Sequence, residues 1–393
     1  MGSNGICDRV AIVGMGCTPF GEHWNRSSSD LLVDACQEAY QSAGVDPEQI
    51  DAYWLGTLYS GISGLMLSEP LKVQYKPITH VENMCATGSE ALRNAAYAVA
   101  SGAYDLVMAV GVEKLKDSGY SGLTGSAPPG DGTDAGTTAP ANFSLLAPAY
   151  AEKYGVDLDT LREVLSRIAY KNHYNGARNP KAQFRKEVPM EKITNSPKVA
   201  GMLGIFDCSG VSDGAAAAIV CRSEDAHKYC DNPIFVKALS FISGPADGAK
   251  RTDYDFTTFP EVVASAEDAY RQAGIEDPRE QISMAEVHDC FTPTELVLME
   301  DLGFSDRGKA WKDTLDGRFD LAGAQPVNPD GGLKSFGHPI GASGLRMMYE
   351  MWLQFRGEAG DRQIDSPEYG LTHNLGGAPG RCVSFVSVVG QPK

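Results

Sequence analysis

Four short stretches of this chain put nucleophilic, proton-transferring or anion-holding groups beside small residues. Asn83-Met84-Cys85-Ala86-Thr87-Gly88-Ser89-Glu90-Ala91 sets a lone thiol between an apolar approach and small residues that lead into a helical pattern, Leu92 to Ala100. A helix start can lower a thiol pKa, so this is the sequence form of a reactive cysteine. The alternative is an inert core thiol, because free cysteines bury like small hydrophobes. Val287-His288-Asp289-Cys290-Phe291 places an imidazole and a second thiol two residues apart, on one side if the segment is extended. Gly331 to Gly344 is the densest glycine region, with His338-Pro339 inside it. Glycines there let backbone approach a ligand, and Pro339 fixes the direction in which His338 leaves the turn. Finally, His373-Asn374-Leu375-Gly376-Gly377-Ala378-Pro379-Gly380 offers backbone N–H groups at a strand end, which suits an oxyanion hole.

The elements that must hold these groups follow from periodicity. Val10 to Val13 is a β-branched run ending in Gly14-x-Gly16; with no third glycine and with Pro19 following, it is a buried strand rather than a dinucleotide loop. Ser29 to Ala43 has helical spacing, with N-caps offered at Ser28 to Asp30 and a C-cap at Gly44, and Ile50 to Leu55 reads as a strand. Ala39-Tyr40-Gln41-Ser42-Ala43-Gly44-Val45 then recurs as Ala269-Tyr270-Arg271-Gln272-Ala273-Gly274-Ile275, and each copy precedes Asp-Pro, Glu-Gln-Ile and a strand-like segment. A shared order of cap, turn and strand indicates an internal duplication. The turn at Cys85 pairs with the one at His338, followed by a helical pattern over Leu345 to Phe355. Likewise the strand from Asp105 to Gly111 pairs with Tyr369 to Leu375, and Val383 to Val389 closes the second half. Strands alternating with helices predict an α/β architecture with helices on both sheet faces.

An insertion interrupts the first half. Residues 117 to 144 are rich in Gly, Ser, Thr, Pro and Asp, a long loop of the kind kept for function, and a helix is predicted over Ala149 to Tyr174. Arg178 to Lys186, with Lys171 and Lys192, reverses the sign of a chain whose formal net charge is -17. A solvated face is the ordinary reading of a charge run, but on this acidic background a clamp for a phosphate-bearing ligand explains it better. The same overall charge argues against general binding to nucleic acid or anionic membranes. With 393 residues and 42% hydrophobic content the chain can bury one large core or two ordinary ones, and two fused units are the natural expectation. Nine scattered cysteines without a C-x-x-C give no zinc knuckle or disulfide framework, so no metal site is expected and a reducing cytoplasm fits. No apolar run approaches a membrane span, and neither end carries a recognisable signal.

Taken together, Asn83-x-Cys85-Ala86-Thr87-Gly88-Ser89, His288-Asp289-Cys290-Phe291, Gly337-His338-Pro339-x-Gly341-Ala342-Ser343-Gly344 and Asn374-Leu375-Gly376-Gly377 resemble, in order and along essentially the whole chain, the thiolase superfamily, in particular its sterol-carrier-protein-X type. The resemblance implies a thiolase fold: duplicated βαβαβ halves, residues 1–232 and 233–393, packed as five αβαβα layers, with an inserted loop domain at about 115–205. It implies Cys85 as nucleophile towards a 3-oxoacyl-CoA, His338 as its base, and an oxyanion hole from the N–H groups of Cys85 and Gly377. His338 and His288 would hold the enolate oxygen, and Cys290 would move the second proton. Coenzyme A would be a co-substrate with no tightly bound cofactor, contacted by Arg178, Lys181, Arg185 and Ser335. Many thiolases carry the acid/base cysteine in the C-terminal glycine loop, where this chain has Asn374; the sterol-carrier-protein-X type supplies it from the His-Asp-Cys-Phe motif, and Cys382 is left as core.

Two other readings compete. Decarboxylating condensing enzymes of the ketosynthase type use a cysteine and two histidines, and Cys85, His288 and His338 could imitate that set. Cys290 discriminates, since decarboxylation needs no second proton shuttle. A non-catalytic acyl-CoA or lipid binder is the other class, opposed by retention of all four motifs. Family aldolases lack the nucleophilic cysteine, so Cys85 argues against them. The resemblance further implies a homodimer and a small partner subunit with an OB-fold and a zinc ribbon. Aromatic or branched substrates are in range, benzoylsuccinyl-CoA among them, with the loop from Asp117 to Asn142 expected to shape the acyl pocket.

Overall fold

A computed structural model describes residues 3, 5–118 and 138–392. The first half builds β1 (Val10–Cys17), α1 (Ser28–Ala43), β2 (Ala52–Gly56), β3 (Ile78–Val81), α2 (Thr87–Ala100) and β4 (Leu106–Glu113). The insertion follows as α3 (Ala139–Phe143), α4 (Leu146–Tyr154), α5 (Leu158–Ala177), α6 (Met190–Thr194), β5 (Lys198–Ala200) and β6 (Leu203–Gly204), before β7 (Gly214–Arg222) returns to the sheet. The second half contributes β8 (Ile234–Ser243), α7 (Pro260–Ala273), α8 (Pro278–Gln281), β9 (Met284–Glu286), α9 (Thr292–Asp301), α10 (Ala310–Leu315), α11 (Gly332–Ser335), α12 (Ser343–Arg356), β10 (Tyr369–Ala378) and β11 (Arg381–Gly390).

Sheet order exposes the duplication. The strands run β3-β2-β4-β7-β1-β8-β11-β10-β9, so β2-β4-β7-β1 of one half is repeated as β9-β10-β11-β8 of the other. Strand senses repeat too: β2 and β4 are parallel like β9 and β10, and each following pair is antiparallel. The halves meet where β1 and β8 pair at only two positions, Ala11 with Phe235 and Ile12 with Ile234. Helix α1 packs on β1 and β7, and α7 packs on β8 and β11, covering the outer faces. Between the halves, α2 and α12 pack on each other; α12 sends Leu345, Met348, Met351 and Trp352 into one core and Met347 into the other. That is helix, sheet, helix, sheet, helix, the five-layer order expected of this chain.

Local chemistry explains the boundaries. Ser27 caps α1, one residue before the predicted caps, and exchanges hydrogen bonds with Asp30. Gly44 and Gly274 close α1 and α7 in the left-handed conformation. Gly14 and Gly16 lie inside β1, where a Cβ would strike the Ala39 and Ala35 carbonyls of α1, so their smallness seats the outer helix. The single helix predicted over 149–174 is corrected to two, because Gly155 takes a φ of 65° and Asp157 starts a new N-cap on the Thr160 N–H. Residues 119–137 lie outside the described residues, and with them most of the loop expected to shape the acyl pocket.

Candidate active site

Cys85 stands at the mouth of α2, in a turn built by its neighbours. Met84 takes a φ of 50°, uncommon for a side chain of its size. Thr87 Oγ1 donates to the Met84 carbonyl at 2.6 Å and accepts the Asn83 N–H at 2.9 Å, clamping the turn from inside the helix. The half-buried thiol and Leu58 both pack against the buried cluster of Leu115, Val211 and Ile340, aliphatic side chains brought from separate segments.

Two histidines from the second half meet this thiol. Cys85 Sγ and ring nitrogens of His288 and His338 lie within 4.8 Å of one another, and the two rings stand edge to face with centroids 5.4 Å apart. Among the described residues these are the only donors grouped closely enough to hold a metal ion. Burial drives both imidazoles down, His338 to about 3, so both rest neutral. Burial also pushes the Cys85 thiol up to about 12, reinforced by Glu113 and Glu82, while the N–H groups of Cys85 and Gly377 pull it down. The expectation of a helix-lowered thiol is therefore corrected: desolvation and two carboxylates outweigh the helix start.

Cys290 is buried beside this group, 3.8 Å from Thr294 Oγ1, and burial together with Cys85 raises its thiol well above the ordinary value. Asp289 between them turns away from the cluster. It accepts the N–H groups of Leu333 at 2.6 Å and Lys334 at 3.2 Å, and the Asn172 amide at 2.8 Å. Asn328 Oδ1 accepts the Val287 N–H at 2.8 Å and fixes the strand end that delivers His288. Beneath the site, fully buried Arg346 pairs with Glu286 at 2.6 Å and Asp330 at 2.5 Å.

The glycine hairpin between β10 and β11 closes the cluster. Gly377 has a φ of 112°, a region open only to glycine, and a Cβ there would lie 2.4 Å from the Arg381 carbonyl. This backbone turns its N–H towards Cys85 Sγ, so the Cys85 and Gly377 amides flank one point. Asn374, at the position where many thiolases carry a cysteine, accepts Ser89 Oγ–H at 2.5 Å. Cys382 is buried in β11.

Two cavities lead outward. One of about 760 Å³ is lined by Val211, which packs near Cys85, and by Phe291, Cys208 and Lys334. The other, about 840 Å³, carries Arg178, Arg185 and Lys186 on its wall. His173, Gln183, Phe184 and Phe206 line both. Arg178 lies 3.4 Å over the Tyr174 ring and pairs with Glu187 at 2.9 Å. Lys181 does not line either cavity; its ammonium is 2.7 Å from Glu38. Ser335 is buried and donates to the Phe184 carbonyl at 2.7 Å. Lys171, counted with the basic run, is buried against Glu295 at 2.8 Å.

Residues 10–202 match the family described as thiolase, N-terminal domain, and residues 247–387 the one described as thiolase C-terminal domain-like. An acetyl-CoA acetyltransferase of Methanothermobacter thermautotrophicus is 37% identical, over 94% of this chain and 97% of its own length. This chain belongs to the thiolase family. Its similarity to sterol carrier protein 2 of Bos taurus, 32% identical over 94% of this chain and 70% of that protein, places it with the sterol-carrier-protein-X type. Among solved structures, an Ltp2-ChsH2(DUF35) aldolase superposes with a TM-score of 0.83 at 24% identity, covering 98% of each chain. A thiolase of Ascaris suum in complex with coenzyme A does so at 0.70 and 17%, over 98% of this chain and 100% of that one. As a thiolase, the protein is an acyltransferase of the Claisen type.

Sequence reasoning missed several residues that shape this thiolase site. Asp289 sits inside a motif already singled out, and its charge amid buried neighbours was a usable signal. Ser343 stands inside the Gly337 to Gly344 motif, which gave it no role of its own; Asn328 and Arg346 gave no signal, since nothing local marks a polar side chain as turned inward.

Proposed function

We propose that this thiolase cleaves a 3-oxoacyl-CoA with coenzyme A through an acyl group carried on Cys85. The convergence of Cys85, His288 and His338 within 4.8 Å, with Cys290 alongside, carries the reading. His338 takes the Cys85 proton and the sulfur attacks the 3-keto carbon; the new oxyanion accepts hydrogen bonds from the Cys85 and Gly377 N–H groups. Breaking the C2–C3 bond leaves acyl-Cys85 and an enolate, whose thioester oxygen is held by His338 and His288. Cys290 gives its proton to C2, and the C1–C2 fragment departs as acetyl-CoA or another acyl-CoA such as succinyl-CoA. The Cys290 thiolate then takes the proton of incoming coenzyme A, whose sulfur displaces Cys85 from the acyl carbon, and Cys85 recovers its proton from His338. A raised Cys290 pKa suits this order, because the group must arrive protonated.

The basic cavity wall at Arg178, Arg185 and Lys186 supplies charge for the coenzyme A phosphates, and the aromatic neck leads the thiol end to Val211 and Cys85. Lys181, paired with Glu38, and Ser335, donating to the Phe184 carbonyl, serve that site by pinning the 178–186 segment at both points. Leu58, Leu115, Val211 and Ile340 around the thiol favour an apolar acyl group, aromatic or branched. Benzoylsuccinyl-CoA falls within this class if a cation such as Lys334 or Lys116 of the neighbouring cavity meets its carboxylate. Cys290 speaks against the decarboxylating reading.

Exposed Tyr59, Ile62, Leu65, Tyr75 and Met84 lie in the chain around edge strand β3 and support a homodimer through that face. The DUF35 protein named with the Ltp2 aldolase supports a small partner subunit. Among the described residues no disulfide joins any of the nine cysteines, which agrees with a reducing cytoplasm, and no helix is long and apolar enough to cross a membrane. Incubation with a panel of 3-oxoacyl-CoA thioesters and coenzyme A tests the reading. A shorter acyl-CoA is the expected product, and no cleavage of any of them overturns it.

A further inference from the structure

We propose that Ser343 is a positioning residue that fixes the tautomer of His338, keeping the proton on Nδ1 and leaving Nε2 as a lone pair for Cys85. The inference rests on the reading of His338 as the base of Cys85. Ser343 Oγ lies 2.7 Å from His338 Nδ1 and 3.0 Å from the Pro339 carbonyl oxygen. A hydroxyl has one proton, and a carbonyl oxygen has none. If that proton pointed at Nδ1, the hydroxyl and carbonyl oxygens would face each other at 3.0 Å with only lone pairs between them. If it points at Pro339, both contacts are hydrogen bonds, and Nδ1 must be the donor in the second.

The other side of the ring agrees. His338 Nε2 is buried and has no hydrogen-bond partner among the described residues, so a proton there would be a stranded donor. As a lone pair it is the acceptor that a neutral thiol within 4.8 Å requires. The nearby Arg346 charge and burial both disfavour a second proton on the resting ring. Once Nε2 has taken the Cys85 proton it becomes a donor, while the Nδ1–H bond to Ser343 is unchanged. One atom thus serves first as base and then as hydrogen-bond donor to the enolate oxygen, with no movement of the ring. His288 has no such lock among the described residues, where its Nδ1 is buried without a partner, and this favours His338 over its neighbour as the base.

The test is nitrogen-15 NMR of histidine-labelled full-length protein, with the His338 signals assigned by loss in His338→Asn. The expected spectrum has Nδ1 protonated and Nε2 bare; the opposite tautomer overturns the proposal. In Ser343→Ala the tautomers should mix and alkylation of Cys85 by iodoacetamide should slow roughly five- to tenfold, whereas Ser343→Thr, which keeps the hydroxyl, should restore it to within about twofold. Equal tautomers and equal alkylation in wild type and Ser343→Ala would also overturn it. If the alanine variant does not fold, the wild-type spectrum and the threonine variant still decide. Neither readout needs turnover, so an Nδ1–H tautomer in a protein that cleaves no thioester would sink the thiolase reading alone.

Discussion

The Asp289 carboxylate accepts the Leu333 backbone N–H at 2.6 Å, and so ties together the two turns that carry His288 and His338. The bond joins a strand end to the loop before α12, and it sets the spacing of the histidines without touching either. Asp289→Ala should lower stability by about 2–3 kcal/mol, since a buried acceptor of three hydrogen bonds is lost. Turnover should fall by at least about tenfold as the cluster loosens. Denaturant unfolding and turnover on one preparation check both, and unchanged turnover would place Asp289 outside the positioning frame.

Gly377→Ala should damage the oxyanion site specifically. The φ of 112° and the Arg381 carbonyl 2.4 Å from an added Cβ force the hairpin to shift, and its N–H moves off Cys85. Loss of one oxyanion donor costs about 10²–10³ in turnover. Alkylation of Cys85 by a small reagent, which forms no oxyanion, should change far less.

The pH dependence of Cys85 alkylation follows from the shifted groups. With the thiol pushed up to about 12 and His338 down to about 3, the free enzyme holds a neutral pair across the neutral range. The thiolate fraction then rises about tenfold per pH unit below that pKa. A rate that climbs towards pH 9 above a pH-independent floor, the floor being the His338-assisted path, is the expected profile. An ionisation midpoint between pH 6 and 9 would mean a thiolate formed at a much lower pKa.

The two thiols should separate by role. Cys85→Ser should abolish the acyl-enzyme, whereas Cys290→Ala should leave Cys85 alkylatable and slow turnover by about 10²–10⁴, the range for losing a general acid–base. Intact-mass measurement after alkylation and a turnover assay distinguish them. Full turnover in Cys290→Ala would remove Cys290 from proton transfer.

What could be read from the sequence was what short-range chemistry decides. Helix caps at Gly44 and Gly274, the buried strand from Val10, and the turns at Cys85 and His338 each announce themselves within a few residues. The duplication made the correspondence of strands between the two halves expected as well, though not their order in the sheet. The break at Gly155 was hidden because apolar spacing continues across it from α4 into α5. Lys171 looked like part of a charged surface because charge in a sequence carries no direction, yet its helix turns it onto Glu295. The walls at Leu58, Leu115, Val211 and Ile340 come from four distant segments, and no local pattern announces a set that only the fold assembles.

Trapping the acyl group tests the central claim most directly. Wild-type protein mixed with a 3-oxoacyl-CoA and no added coenzyme A should gain the mass of the acyl fragment, and peptide mapping should place it on Cys85. Adding coenzyme A should remove it as the shorter acyl-CoA. Label on another residue, or a Cys85→Ser variant that still exchanges acyl groups, would contradict the account.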